Sequence, residues 1–450
     1  MRGVVMKIKL PEQVRFVLSK LSACGYEANI VGGCVRDSIL GLAPKDWDIT
    51  TSALPQETEQ ALAGCKLIET GLKHGTVTAL INGIPLEITT YRIDGDYSDN
   101  RHPDSVTFTR SLKEDLARRD FTVNALAYHE KDGIIDYFGG LKDLQNKLIR
   151  CVGEPDKRFD EDGLRILRAL RFSSVLGFDI DFSTSQSIGK KKDLLRNIAA
   201  ERLASELLKL ICGKNAEQIL RQYPTVFGEF LPEILPTVGF EQHNPYHVYD
   251  VWEHTIHSVS AIEPTPVLRL AMLLHDIGKP DCYTQDEIGI GHFYGHPQKS
   301  SEIAATVLKR LRLDNDTIKQ VTTLVKYHDL PLMSSTKWIK KQLNKLGEPT
   351  FRQLLLVHAA DTKAHAPQAL SNLQYLDKIE GILNEVIAQG QCFSLKDLDV
   401  NGSDLMEIGI TEGTQIGAVL KQLLSAVMKE TCPNGKEALL NLAEKLKNAK

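Results

Sequence analysis

Strand signals stop near residue 155 of this 450-residue chain, and that break constrains the fold more than any single motif. Before it, helical stretches alternate with β-branched runs such as Ala28-Asn29-Ile30-Val31, Thr76-Val77-Thr78-Ala79-Leu80-Ile81 and Leu86-Glu87-Ile88-Thr89-Thr90-Tyr91. Such runs predict strands of a mixed sheet with helices between them. After it, Leu, Arg, Lys, Ala and Glu recur at helical spacing, which predicts an all-α remainder. The length suggests roughly three domains. Pro232, Pro236, Gly239 and Pro245 punctuate the helical part. The expected organisation is an α/β head over 1–150, a helical neck and body over 151–240, a histidine-bearing helical domain over 241–370 and a helical C-terminal region over 371–450.

A hydrophobic content of 42% with 25% charged residues is that of a globular chain and excludes a disordered one. No apolar run reaches the roughly 18 residues of a membrane-crossing helix. The start, Met1-Arg2-Gly3-Val4-Val5-Met6-Lys7, leads to charge and Pro11 rather than to a signal-peptide core. A cytoplasmic protein without a membrane partner is expected. The eight cysteines are scattered without a CxxC pair, so they read as reduced residues. A net charge of -4 does not fit a nonspecific coat on nucleic acid; an RNA partner would need local basic patches. The lysine-rich stretch 436–450 is either a solvated helix end or a weak RNA contact.

In the head, Asn29-Ile30-Val31 runs into Gly32-Gly33-Cys34-Val35-Arg36-Asp37. A glycine pair where a strand turns into a helix exposes backbone N–H groups to a phosphate, and Gly33 would allow close approach. Arg36 would then pair with a phosphate oxygen. Taken alone, the pair is equally an ordinary tight turn. Lys45-Asp46-Trp47-Asp48 follows within a few residues. In extended backbone Asp46 and Asp48 face the same side, as a Mg²⁺ site for phosphoryl transfer requires.

With Arg118-Arg119-Asp120-Phe121-Thr122-Val123-Asn124-Ala125 and Asp136-Tyr137-Phe138-Gly139-Gly140, these segments resemble the class II tRNA nucleotidyltransferases and bacterial poly(A) polymerases, within the DNA polymerase β superfamily. Tyr137 stands where that family usually has Pro. The resemblance implies that Gly33 and Arg36 contact the nucleotide, Asp46 and Asp48 hold Mg²⁺, and Arg119 meets the triphosphate. Asp120 is the implied third catalytic carboxylate, with Glu87 on a neighbouring strand as its rival. The implied partners are the tRNA 3′ end, CTP and ATP, and the implied reaction builds or repairs the terminal CCA. Residues 92–103, with Arg101-His102-Pro103, resemble the family's flexible loop and argue against a CC-only enzyme. Addition of A alone, or poly(A) synthesis, stays open.

In the neck, Glu161-Asp162-Gly163-Leu164-Arg165-Ile166-Leu167-Arg168-Ala169-Leu170-Arg171-Phe172 predicts an amphipathic helix with Asp162, Arg165 and Arg168 along one side. That stripe is either a surface ion-pair ladder or a base reader. Cytosine and adenine each carry an exocyclic amino donor beside a ring-nitrogen acceptor. A carboxylate and a guanidinium, Asp162 with Arg165, would therefore favour C and A over U and G. The pair matches the family's EDxxR motif, which extends nucleotide contacts to Arg168 and Arg171. Glu201-Arg202-Leu203-Ala204-Ser205-Glu206 continues the family pattern as a helix bracing the neck.

Farther on come His254, the adjacent pair His275-Asp276 before Gly278-Lys279-Pro280, then His296, His328 and Asp361. A lone histidine is ordinarily a core residue, but the paired His-Asp is hard to assign to packing. The set resembles the HD phosphohydrolase superfamily, which implies an all-α HD domain. There His254, His275, Asp276 and Asp361 would hold one divalent ion, and His296 and His328 would suit a second. Imidazole with carboxylate suits Ni²⁺, Mn²⁺, Fe or Mg²⁺ without choosing among them. Lys279 would touch phosphate. The implied activity is removal of 2′-phosphates or opening of 2′,3′-cyclic phosphates; a non-hydrolytic tRNA-binding module is the alternative. Oligomeric state is not legible.

Overall fold

The computed structural model describes residues 7–71, 75–95 and 105–448, so Arg101-His102-Pro103 lie outside the described residues. The chain divides into two compact units, one ending at Pro232 and the other beginning at Glu233.

The first unit opens with a seven-stranded mixed sheet. In chain order its strands, and those of a small ribbon beside it, are β1 Ala28–Val31, β2 Asp48–Thr51, β3 Lys66–Gly71, β4 Thr76–Ile81, β5 Ile84–Thr90, β6 Arg92–Asp94, β7 Val106–Phe108, β8 Leu126–His129 and β9 Gly133–Asp136. The sheet runs β3-β4-β5-β2-β1-β8-β9, and β6 pairs only with β7. β1 packs against the helices Glu12–Ala23 and Gly33–Ile39 and is buried at all four positions. β4 alternates half-buried and buried residues, the period-two pattern of a strand with one covered face. β2 and β5 run parallel with Asp48 opposite Glu87, while every other neighbour in this sheet is antiparallel. Residues opposite each other on adjacent strands share a face, so this register sets two carboxylates side by side.

The rest of the unit is helical apart from a short parallel pair, Leu148–Ile149 with Asp179–Ile180, and here one expectation needs correction. Residues 161–172 do not form one helix. Pro155–Glu161 ends at Asp162, whose backbone is extended at φ -144°, and a new helix covers Leu164–Leu176. Asp162 accepts the Leu164 N–H at 3.0 Å, serving as a cap rather than as a face residue. A Cβ on Gly163 would stand 2.9 Å from Leu194 Cβ and 3.3 Å from its carbonyl oxygen. The break therefore comes from tertiary packing, which helical periodicity does not record.

In the second unit Asp250 caps Val251–Ala261 by accepting the Glu253 N–H, and Pro266–Leu274 leads directly into His275. A two-stranded hairpin, Thr284–Gln285 with Gly291–His292, precedes the helices His296–Arg310 and Asn315–Tyr327. Glu348–Ala364 carries Asp361. The C-terminal helices have an apolar cluster of their own, including Leu405, Ile410, Leu423, Leu439 and Ala443. The helix Lys436–Asn448 buries Leu439 and Ala443, while Lys436 pairs with Asp404 and Lys447 donates to the Ile408 carbonyl. These two lysines serve the local fold. No helix among the described residues is long and apolar enough to cross a membrane.

Candidate active sites

The head site is built on the β2–β5 register. Asp48 opens β2, Asp46 lies two residues earlier, and Glu87 faces Asp48 from β5. Burial pushes the Asp48 carboxyl above its ordinary range; Arg119 pulls it down, and Glu87 and Asp46 push it up again. Several acids meeting one guanidinium make a site whose negative charge is not balanced internally, as a divalent ion requires. No ion is part of the structure, and the donor set fits Mg²⁺.

Beside the carboxylates, the turn into Gly33–Ile39 depends on Gly32, whose φ of 79° and ψ of -130° suit only glycine. An added Cβ there would stand 3.0 Å from an Arg119 guanidinium nitrogen, so Arg119 lies against the glycine turn. At Gly33 a Cβ would meet only Arg36, at 3.6 Å, an ordinary contact. The left-handed geometry thus belongs to Gly32, not to Gly33. Arg36 is buried, pairs with Asp37 at 2.7 Å, donates to Asn124 and stacks on Phe172 with its guanidinium 5.0 Å from the ring centroid.

Asp120 does not join the carboxylate cluster. Although adjacent to Arg119 in sequence, it accepts from its neighbour's Phe121 N–H, from Asn124 at 3.0 Å and from Arg168 Nη2 at 2.6 Å, with Arg168 Nε also at 3.0 Å. Burial works against ionisation of Asp120, but Arg168 and Asn124 outweigh it and hold the carboxyl at about 2. Such a bidentate pair ties the head to the neck helix. Of the two candidates for a third acid, Glu87 is the one that faces Asp48 and acts on its charge, while Asp120 is engaged with Arg168.

The base-reading candidates of the neck take different side-chain partners. Arg165 is buried and donates to Glu161 at 2.5 Å and to the carbonyls of Arg158 and Arg118, both at 3.1 Å. Asp162 instead receives Arg202 Nη2 at 2.8 Å. Arg168 and Arg171 both lie over the Phe172 ring, and Arg171 pairs with Glu206. Sequence reasoning named the Glu201-to-Glu206 stretch only as a brace; Arg202 and Glu206 are the residues that connect it to the site. An 800 Å³ cavity is lined by Asp94, Arg118, Lys157, Arg158 and Glu161, and by none of Asp46, Asp48 and Glu87.

The second unit brings all six predicted metal-site residues together. Asp276 is the bridge between two sets. Its Oδ2 lies 3.4 Å from His254 Nε2 and 3.3 Å from His275 Nε2, and its Oδ1 lies 3.3 Å from His296 Nε2 and 3.5 Å from His328 Nε2. Asp361 Oδ1 adds contacts of 2.9 Å to His254 and 3.4 Å to His275. Nδ1 of each histidine faces a backbone carbonyl: Ala364, Met272, Phe293 and Val325 for His254, His275, His296 and His328. A carbonyl only accepts, so Nδ1 carries a proton and every Nε2 is turned inward, where an ion would replace any proton the aspartates draw onto it. Imidazole nitrogens face each other at 3.3 Å (His254 and His275) and 3.1 Å (His296 and His328). Neither Asp276 oxygen has a well-directed hydrogen bond, although Lys279 Nζ sits 2.7 Å from Oδ2. Convergent lone pairs and a buried carboxylate fit cations.

Burial opposes a charge on His275, yet Asp276 and Asp361 outweigh it and raise the imidazole to about 10. Burial drives His254 the other way. Lys279 is held by Asp276 and Gln242 rather than free to reach out. Sequence reasoning missed His247 and His365, which flank His254 and could form a further ligand trio with it. The only signal for them was one more histidine close to each end of the ligand set.

Strand–glycine turn, carboxylate register and ion-paired neck define a nucleotidyltransferase of the poly(A) polymerase head class. Residues 28–150 match the family described as the poly A polymerase head domain, residues 177–224 a probable RNA and SrmB-binding site of polymerase A, and residues 293–443 a putative tRNA nucleotidyltransferase domain 2. The CCA-adding enzyme of Levilactobacillus brevis is 37% identical over 95% of this chain and 96% of its own length. That of Limosilactobacillus reuteri is 35% identical over 98% and 99%. The Bacillus stearothermophilus CCA-adding enzyme, solved in complex with CTP, is 31% identical with a TM-score of 0.71, covering 97% of this chain and 98% of that one. The chain belongs to the CCA-adding enzyme family.

Proposed function

We propose that the chain adds or repairs the 3′-terminal CCA of tRNA, using CTP and ATP without a nucleic-acid template. The observation that carries this is the Asp46, Asp48 and Glu87 cluster beside Arg119 and the Gly32 turn. The tRNA 3′-hydroxyl oxygen attacks the α-phosphorus of the nucleotide, the bond to the β-phosphate oxygen breaks, and pyrophosphate leaves. Mg²⁺ held by the three carboxylates would ease deprotonation of the hydroxyl and stabilise the leaving group. Arg119 and Arg36 hold triphosphate charge, and Gly33 allows its approach. Asp162 accepts from the exocyclic amino group while still held by Arg202, and Arg165 donates to the ring nitrogen once nucleotide binding draws its guanidinium from Glu161 and the Arg158 and Arg118 carbonyls, which selects C and A. Arg168 and Arg171 contribute through the Phe172 stack. The solved relative with CTP supports this reading.

The second centre is a metal-dependent HD phosphohydrolase acting on 2′-phosphate or 2′,3′-cyclic phosphate ends. Its support is the bridging Asp276 with four inward Nε2 atoms. An ion held there by His254, His275, Asp276 and Asp361, with a second by His296 and His328, would supply a metal-activated water.

The test is incubation with tRNA ending at the discriminator base. CTP alone should give two additions, and ATP with CTP a single further A. Long A tails would replace CCA addition by poly(A) synthesis. In parallel, His275→Ala should abolish 2′-phosphatase activity while leaving nucleotide addition intact. Absence of metal-dependent hydrolysis in the intact chain would leave this unit as a tRNA-binding module.

A further inference from the structure

The cavity above the second centre has a volume of about 320 Å³, and its lining includes Asp276, His296, His328 and Asp361 together with Asn244 and Tyr294. Tyr294 is unusual among these. It is 78% exposed, yet its ring is not loose: it lies parallel to His292, 5.3 Å between centroids and 10° between planes. His292 is itself fixed, with Nε2 2.9 Å from Asp286 Oδ2. Asp286 is held in turn by accepting the N–H groups of Ile288 at 3.1 Å and Ile290 at 2.8 Å across the hairpin tip. A large aromatic face is thus presented to solvent at a set angle, on the wall of the cavity that also contains the ligand cluster. Nothing in the described fold requires this ring for packing.

We propose that Tyr294, braced by His292 and Asp286, is the base-stacking platform of the second site, so that the site takes a single nucleotide terminus. The base would lie on the open face of Tyr294 and the terminal phosphate would meet the histidine–aspartate centre. This rests on reading that centre as one that receives a phosphate. The volume is at the small end of the roughly 300–1,000 Å³ typical of ligand sites, enough for one nucleotide and too little for a paired end. Every base has a π face, so the platform accepts any base identity. Stacking also explains how this site would prefer an RNA terminus to a bare phosphate ester.

The test uses the full chain loaded with Mn²⁺ and two probes, adenosine 2′-monophosphate and the base-free glycerol 2-phosphate, with affinity measured by calorimetry. Tyr294→Ala should weaken binding of the nucleotide about tenfold, as loss of one stacked base does, and leave glycerol 2-phosphate unchanged. Tyr294→Trp should restore the nucleotide affinity. The difference between intact chain and Tyr294→Ala isolates this site from the nucleotide site of the head. Equal nucleotide affinity in the intact chain and Tyr294→Ala would overturn the inference, as would equal weakening of both probes. Hydrolysis of the same probes separates the two readings. Tight, Tyr294-dependent binding without hydrolysis would remove the phosphohydrolase and keep the platform; hydrolysis indifferent to Tyr294 would do the reverse.

Discussion

Replacing Asp120 by Asn separates a structural carboxylate from a catalytic one. In the intact chain Asp120 is 9% exposed and bound by both Arg168 nitrogens. Its carboxyl is lowered from 3.8 to about 2. At about 1.36 kcal/mol per tenfold change, that fall corresponds to about 2 kcal/mol of stability in the ionised form. Asp120→Asn also leaves Glu206, 3.7 Å away, as the carboxylate beside the Arg168 guanidinium. The first unit should therefore lose about 2–4 kcal/mol, or roughly 5–15 °C in melting temperature for a unit of this size. The pH dependence has a definite sign. A carboxyl lowered by folding stabilises fully above its unfolded value and loses that contribution as pH falls through the folded one. The gap between intact chain and Asp120→Asn should thus be constant from pH 7 to 5 and close as pH falls from about 4 towards 2. Calorimetry at pH 7, 5 and 3 measures it. An Asp120→Asn protein that melts like the intact chain at pH 7 yet incorporates no nucleotide would refute the argument and restore Asp120 to the metal site.

Other substitutions probe the remaining parts. Arg202→Met should release Asp162 and reduce discrimination against UTP about tenfold, read as kcat/KM ratios for CTP and UTP; unchanged ratios would remove Arg202 from base selection. Gly163→Ala should cost about 1–3 kcal/mol, because the new methyl group meets Leu194 at 2.9 Å and a carbonyl oxygen that cannot rotate away. Chemical denaturation checks this. Mn²⁺ or Ni²⁺ at about a hundred times its dissociation constant should stabilise the second unit by about 2.7 kcal/mol, and Asp276→Asn should erase most of that gain. A melting curve indifferent to metal would contradict the ligand assignment.

What the sequence revealed follows physical lines. The runs at 28–31 and 76–81 coincide with β1 and β4 because β-branched composition, and in β4 a period-two pattern, are local properties. The break at Asp162 and Gly163 was hidden because helical spacing continues on both sides, and its cause is Leu194, some thirty residues away. In the head, Arg119 and Asp120 look like one functional pair. The backbone sends Arg119 to the Gly32 turn and Asp120 to Arg168, a divergence that adjacency does not encode. The nearness of Glu87 to Asp48 depends on the β2–β5 register, which is set by sheet order. The metal ligands of the second unit were recognisable as residue types in sequence. The bridging position of Asp276, and the nearness of His247 and His365, came only from packing five helices and their connecting loops together.

The central claim is that Asp46, Asp48 and Glu87 form one metal-binding cluster for nucleotide transfer, and single-turnover addition of C to tRNA by Glu87→Gln tests it most directly. The substitution keeps side-chain size at an exposed position, so melting should be unchanged while the rate falls on the order of a thousandfold. Addition at the intact chain's rate by Glu87→Gln would contradict the cluster.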